Sequence, residues 1–231
     1  MSFIGRLLSE LPRSSAGSEE TARQVLSRCG NNYASALFIG DDCRTPELLQ
    51  EVCNDVTSAF SEDFRAKQAQ SRGLSARCVQ LYELLRQEGD YDLVWYNGIV
   101  EFDGVAQRID RLREAVKKGG TVVYRTLCWL IDPSPDTLAY CTHRFGIIEP
   151  LDKVLRIAKE QGLSVEDFYI APKKDWTEGY YKLLCALADK YNAQSSEDGE
   201  IIAGMGELKK ETDMFALHCE EYSYVYYIMK G

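Results

Sequence analysis

The stretch Ala36-Leu37-Phe38-Ile39-Gly40-Asp41-Asp42-Cys43-Arg44-Thr45-Pro46-Glu47 decides the fold. Its first four residues are apolar without alternation and run into a glycine and two aspartates, as a strand buried on both faces does. Thr45 then stands as an N-cap, Pro46 at the first helical position and Glu47 at the positive helix end, so a helix opens just past the strand. Strand, glycine turn and helix in that order begin a βαβ crossover. Leu48, Leu49 and Val52 continue the apolar face of the helix, and residues 56–60 read as a second strand.

The same alternation extends in both directions. Upstream, Phe3, Ile4, Leu7, Leu8 and Leu11 form one helical stripe, and Ser18 precedes another made of Ala22, Val25, Leu26 and Cys29. Downstream come a polar helical stretch at 63–72, a weak strand near 77–81 and the clear strand Tyr91-Asp92-Leu93-Val94-Trp95-Tyr96. Asp103 then caps a helix carrying Val105, Ile109, Leu112 and Val116, an amphipathic spacing. That helix is expected to stop at Lys117-Lys118-Gly119-Gly120, with a glycine as its left-handed cap. Residues 121–124 and 165–170 read as strands around a helix at 151–161, and 222–229 as the last strand. The pattern predicts an α/β fold, a mostly parallel sheet with helices on both faces. The expectation is one domain over 1–231, with an N-terminal helix within 1–16 and a helical lid at 176–221 inserted before the last strand.

Composition narrows the function. The 231 residues carry 27 basic and 36 acidic side chains, a net charge of −9, which argues against nucleic acid because phosphates call for clustered Lys and Arg. No apolar run nears the ~20 residues that span a bilayer, so no membrane partner is expected. The eight cysteines contain no C-x-x-C pair; neither a zinc site nor a dense disulfide framework is suggested, and a reducing compartment, the cytoplasm, is expected.

Several pieces carry a family resemblance: Gly17-Ser18-Glu19-Glu20, Phe38-Ile39-Gly40, Tyr91-Asp92-Leu93-Val94-Trp95, Lys117-Lys118-Gly119-Gly120, Trp176-Thr177-Glu178-Gly179-Tyr180-Tyr181 and Tyr222-Ser223-Tyr224-Val225-Tyr226-Tyr227-Ile228. In these pieces and their order, from about Gly17 to the C-terminus, the chain resembles the class I S-adenosylmethionine-dependent methyltransferases, most of all their bacterial small-molecule branch. The resemblance implies a Rossmann-like, seven-stranded, mostly parallel sheet. It also implies S-adenosylmethionine as cofactor, a small-molecule acceptor, no metal, and compatibility with a homodimer. Methyl transfer is an in-line displacement governed by proximity and orientation, so the lack of a catalytic triad does not count against it.

The departures are specific. Where the family has an acid followed by G-x-G-x-G, this chain has Phe38 for the acid, keeps Gly40, and puts Asp42 and Arg44 at the next two glycines. At the family's ribose-binding acid it has Ala59-Phe60-Ser61-Glu62, so Glu62 serves only if the strand end is displaced by about two residues. Glu83 matches the adenine-contacting acid, and Tyr96 and Asn97 stand at the fourth strand's end. In one reading the site is rewired, with Arg44 on the cofactor carboxylate and Asp41 or Asp42 on its amine. In the other, cofactor binding is lost and the fold serves as a ligand-binding or interaction module, as apolar Phe38 and Phe60 would favour. Trp129, Trp176 and Tyr180, with Tyr181, are the candidate acceptor wall, although aromatics at helical spacing equally suit a core. His143 is the candidate base.

Overall fold

A computed structural model describes residues 2–30, 32–79, 91–98, 104–195 and 197–231. Glu83 and Asp103 lie outside them. One eight-stranded sheet organises the chain in the order β3-β2-β1-β4-β5-β8-β7, with the two-residue β6 (Glu149–Pro150) paired to β5. The strands β1 (Tyr33–Ile39), β2 (Cys53–Phe60), β3 (Ser75–Cys78), β4 (Tyr91–Tyr96) and β5 (Val116–Trp129) run parallel. Antiparallel β8 (Tyr222–Lys230) follows beside β5, with β7 (Ser164–Ile170) at the edge. The expected α/β sheet is therefore present, with the short β6 as an addition.

Burial explains the central strand. Ala36, Leu37, Phe38 and Ile39 are all buried, so side chains on both faces of β1 meet helices, the pattern of a parallel interior strand. Asp92 fixes the register at the other end: its Oδ2 accepts from the amides of Ala34 and Ser35 at 3.0 and 2.9 Å. Lys117 reaches its Oδ1 at 3.1 Å, and these contacts hold the Asp92 carboxyl below the usual range, Lys117 foremost.

The helices on the two faces are α2 (Glu19–Cys29), α3 (Arg44–Leu49) and α4 (Asp63–Ser71), then α5 (Val105–Ala115) and α7 (Leu151–Glu160). Ser18 caps α2, its Oγ accepting from the amide of Thr21 at 3.0 Å. Over one end of the sheet lies a helical layer: α1 (Phe3–Glu10), α6 (Pro135–Phe145), α8 (Lys173–Trp176), a π-helical turn (Thr177–Tyr181), α9 (Lys182–Gln194) and α10 (Gly199–His218). Trp176 centres its core, stacked on Phe215 at 4.7 Å and on Tyr224 at 5.2 Å, and its Nε1 donates to Ser223 Oγ at 3.1 Å.

Three local expectations are corrected. Helix α5 ends at Ala115, and Lys117-Lys118-Gly119-Gly120 belongs to a bulged beginning of β5, where Tyr91 pairs with Val116 but Leu93 with Thr121. The strand outcompetes a helix cap there because the Gly119 amide bonds to the Gly231 carbonyl at 2.7 Å. Strand β5 runs on to Trp129, paired with β8 from Thr121 to Trp129, so residues 125–129 are strand and not the loop beyond it. The N-cap of the helix Arg44–Leu49 is Cys43 and not Thr45, which lies inside the first turn and donates its amide to Oδ1 of Asp42 at 2.7 Å.

Candidate functional site

The strand order reverses direction between β1 and β4, and the crevice past their carboxyl ends is where open α/β sheets take ligands. A cleft of about 220 Å³ opens there. Gly40 and Asp41 line it from β1, Phe60, Ser61 and Glu62 from β2, Gly98 from β4, and Arg65 from α4. Glycine at 40 is a packing necessity, since a β-carbon would run into the Phe38 ring and lie 2.9 Å from Asn97 Cβ. Phe38 is wholly buried below this corner, 5.9 Å from the Phe60 ring between centroids. Of the two phenyl rings, Phe60 alone is among the lining residues.

Two buried arginines tie the segment after α1 across this cleft. Arg65 donates to the carbonyls of Leu8 and Leu11, both at 2.7 Å, and to Ser14 Oγ at 2.8 Å. Arg125 donates to Ser15 Oγ and the Asn97 carbonyl, both at 3.1 Å, and to the Ala16 carbonyl. Its guanidinium lies 3.6 Å from the Tyr224 ring centroid, a cation–π contact. Ser15 also donates to Asp41 Oδ2 at 3.0 Å. Burial pushes the Asp41 carboxyl above its ordinary range, with nearby Arg125 as the main opposing influence. Burial likewise lowers the Arg65 guanidinium, with Asp41 opposing. The buried Nε of Arg65 has no hydrogen-bond partner among the described residues.

The sequence candidates divide. Gly40, Asp41, Glu62, Trp176 and Tyr180 all line this one cleft. Asp42 does not: it is 1% exposed and holds Thr45 and Asn97, with Arg13 at 3.9 Å. Nor does Arg44, which pairs with Glu19 at 2.6 Å and with Glu47 on the outer side of the corner; two carboxylates already occupy the guanidinium meant for a cofactor carboxylate. Asn97 serves packing, bridging the Trp95 indole at 2.8 Å and Asp42 at 2.7 Å. Tyr96 is core, stacked on Tyr124 at 5.5 Å. Trp129 faces another depression, beside Pro133 and Pro150.

His143 lines a second cavity, of about 510 Å³, next to the first. The two share Arg144, Tyr180 and Glu211 in their walls. Glu211 is 6% exposed, accepts from Arg144 Nε at 2.9 Å and from the Tyr181 hydroxyl at 3.4 Å. Burial alone would lower the Arg144 guanidinium, but Glu211 outweighs it and raises it. Burial pushes the Tyr180 and Tyr181 phenols far up, with Glu211 adding to it. Sequence reasoning missed Arg65, Arg125, Arg144 and Glu211. One of these carried a signal: the buried face of α10 is Ile201, Gly204, Leu208, Glu211 and Phe215, so an acid stands on the apolar stripe.

No protein-family model matches the chain, and no curated protein matches it. Solved structures do. A SAM-dependent methyltransferase from Thiobacillus denitrificans, in complex with S-adenosyl-L-homocysteine, superposes with a TM-score of 0.82 over 100% of this chain and 99% of its own, at 15% identity. One from Geobacter sulfurreducens, with the same ligand, gives 0.77 over 97% of both chains at 14% identity. Geranyl diphosphate C-methyltransferase from Streptomyces coelicolor, in complex with Mg2+, geranyl diphosphate and S-adenosyl-L-homocysteine, gives 0.61 over 91% of this chain and 76% of its own at 16% identity. The sheet order, the crevice at the β1/β4 switch and these superpositions together establish that the chain has the fold of the class I S-adenosylmethionine-dependent methyltransferases.

Proposed function

We propose that the protein transfers a methyl group from S-adenosylmethionine to a small-molecule acceptor. The observation that carries this is the convergence of Gly40, Asp41, Ser61, Glu62 and Gly98, from three adjacent strand ends, on one cleft at the switch point. The groups on offer suit the cofactor. Asp41 is an acceptor for the ammonium of its methionine part, Glu62 for the ribose hydroxyls, and Phe60 gives an apolar face to the adenosyl group. Arg65, which lines the cleft, is the positive group nearest to hand for the carboxylate, a role that the paired Arg44 does not have. The cofactor, when bound, supplies an electrophilic methyl carbon on a positively charged sulfur.

The chain's own contribution in this reading is positioning. Arg65 and Arg125 hold residues 8–16 over the cleft, and the aromatic residues Trp176, Tyr180 and Tyr224 close its other side. A covered, aligned pair of reactants replaces an encounter in solution, and the exclusion of water prevents side reactions. All eight cysteines are free, which supports a reducing, cytoplasmic setting. Among the described residues no helix is long and apolar enough to cross a membrane, and no group of His, Cys, Asp and Glu could hold a metal ion.

Equilibrium dialysis against methyl-labelled S-adenosylmethionine tests the reading. Wild type is expected to retain one equivalent, and Asp41→Asn to bind at least about tenfold more weakly, roughly the 1.4 kcal/mol that a tenfold change represents. No retention at millimolar ligand removes the cofactor assignment. Retention without turnover on any acceptor would instead favour a ligand-binding module, the reading to which Phe60 in place of a carboxylate lends weight.

A further inference from the structure

The second cavity has a charge arrangement that the cofactor reading leaves unused. Its rim carries His143, Glu207 and Lys210, all exposed. Its floor carries a buried carboxylate, Glu211, among the phenol rings of Tyr140, Tyr180 and Tyr181 and the apolar side chains of Leu184 and Leu208. The π-helical turn Thr177–Tyr181 buries Tyr180 and Tyr181 side by side, ring centroids 5.2 Å apart. Such turns recur at functional sites.

A buried carboxylate without enough partners is costly, because its oxygens offer about four acceptor positions. Among the described residues Glu211 receives one good hydrogen bond, from Arg144 to Oε2 at 2.9 Å, whereas Oε1 has the 3.4 Å contact with the Tyr181 hydroxyl alone. Arg144 binds through Nε alone, so the pairing is not bidentate and leaves Oε1 available. An unfilled acceptor ringed by aromatic faces is complementary to a cationic nitrogen. An anionic acceptor is less well served: the Arg144 guanidinium is already paired with Glu211, Lys210 and His143 sit at the solvent edge, and Lys210 lies 5.6 Å above the Tyr140 ring.

We propose that this cavity takes the methyl acceptor and that the acceptor is an amine on an apolar frame, its nitrogen set against the Glu211 carboxylate. The assignment rests on the first cleft being the cofactor's, since the shared wall of Arg144, Tyr180 and Glu211 brings the nitrogen beside the methyl donor. The amine first releases its ammonium proton to solvent through the open mouth of the cavity; the lone pair of the neutral nitrogen then forms the new N–C bond as the C–S bond breaks and its electron pair returns to sulfur. The positive charge thereby passes from sulfur to nitrogen, where the carboxylate meets it, an electrostatic role that needs no proton transfer in the bond-making step.

Calorimetric titration of the full chain with phenethylamine and with 3-phenylpropanoate, each with and without S-adenosylhomocysteine, tests this. Wild type is expected to bind the amine at least tenfold more tightly than the acid. Glu211→Gln is expected to erase the preference, and Arg144→Gln, which leaves the carboxylate without its guanidinium, to keep it. Equal or tighter binding of the acid by wild type, no binding of the amine at millimolar concentration, or an amine preference unchanged in Glu211→Gln overturns the assignment. The wild-type comparison stands whether or not the variants fold. An amine preference that Glu211→Gln erases, found in a protein that does not bind S-adenosylhomocysteine, upholds Glu211 as an amine-binding group but removes the cofactor reading and with it the role of methyl acceptor.

Discussion

The side-chain amide of Asn97 donates to Oδ2 of Asp42 at 2.7 Å, tying the end of β4 to the turn after β1. The same carboxylate accepts from the Thr45 amide and hydroxyl, so Asp42 joins the two strand ends and starts α3 at once. A carboxylate used this way builds the corner and contacts no ligand. Asp42→Ala would leave the buried Asn97 amide and the Thr45 amide and hydroxyl of the first turn without their acceptor, about 3 kcal/mol of lost stability. For a chain of this size that lowers Tm by roughly 6–12 °C. Below the transition, affinity for S-adenosylhomocysteine is expected to stay within about threefold. Thermal unfolding and titration on the same sample separate the two effects.

Arg44 makes the opposite case, a residue placed by sequence in the cofactor's path and by structure outside it. Its side chain is 37% exposed and paired with Glu19 and Glu47. Exposed pairs of this kind contribute about 0–1 kcal/mol. Arg44→Ala is therefore expected to change ligand affinity by less than about twofold, and a tenfold loss would return Arg44 to the binding site.

How much of this was legible in the sequence follows from the range of the interactions. The strands Tyr33–Ile39 and Tyr91–Tyr96 were readable because continuous apolar runs bounded by turn residues have one good packing solution, burial on both faces. Lys117-Lys118-Gly119-Gly120 misled because a local cap signal competes with a pairing to Gly231, at the far end of the chain. Asp42 and Arg44 were visible as replacements for glycines, but whether a carboxylate or guanidinium points into a cleft or back into its own turn is set by partners such as Asn97 and Glu19. Arg65 and Arg125 gave no signal, since their partners are mostly backbone carbonyls distant in sequence. Glu211 alone broke a periodic pattern.

Gly179, in the π-helical turn, rests on the Gly17 carbonyl: a β-carbon at 179 would lie 2.6 Å from that oxygen. Backbone on both sides leaves no flexible side chain to yield. Gly179→Ala is expected to cost about 1–3 kcal/mol, seen as a Tm lower by roughly 2–12 °C. Because the turn carries Tyr180, whose side chain walls both cavities, ligand binding should weaken as well. An unchanged Tm would show that the two segments move apart freely.

Glu221 supplies a pH-dependent element. Burial alone would raise its carboxyl, but the Ser134 amide at 2.9 Å, His218 at 2.7 Å and the hydroxyls of Thr137 and Ser134 hold it down at about 2. A carboxyl depressed on folding stabilises the native state above its unfolded value near ~4.3 and loses that contribution as pH falls toward the folded value. Wild type should accordingly lose more stability than Glu221→Gln between about pH 5 and pH 2. Parallel curves of Tm against pH would deny Glu221 this role.

The measurement closest to the central claim is thermal unfolding with S-adenosylhomocysteine, run on wild type, Asp41→Asn and Arg44→Ala together. Ligand at about 100 times its Kd adds ~2.7 kcal/mol, which raises Tm by roughly 5–10 °C. That rise is predicted for wild type and Arg44→Ala and should fall to about half or less in Asp41→Asn, whose affinity is expected to be at least about tenfold lower. No rise in wild type at millimolar ligand, or the same rise in Asp41→Asn as in wild type, would contradict the assignment of the cleft.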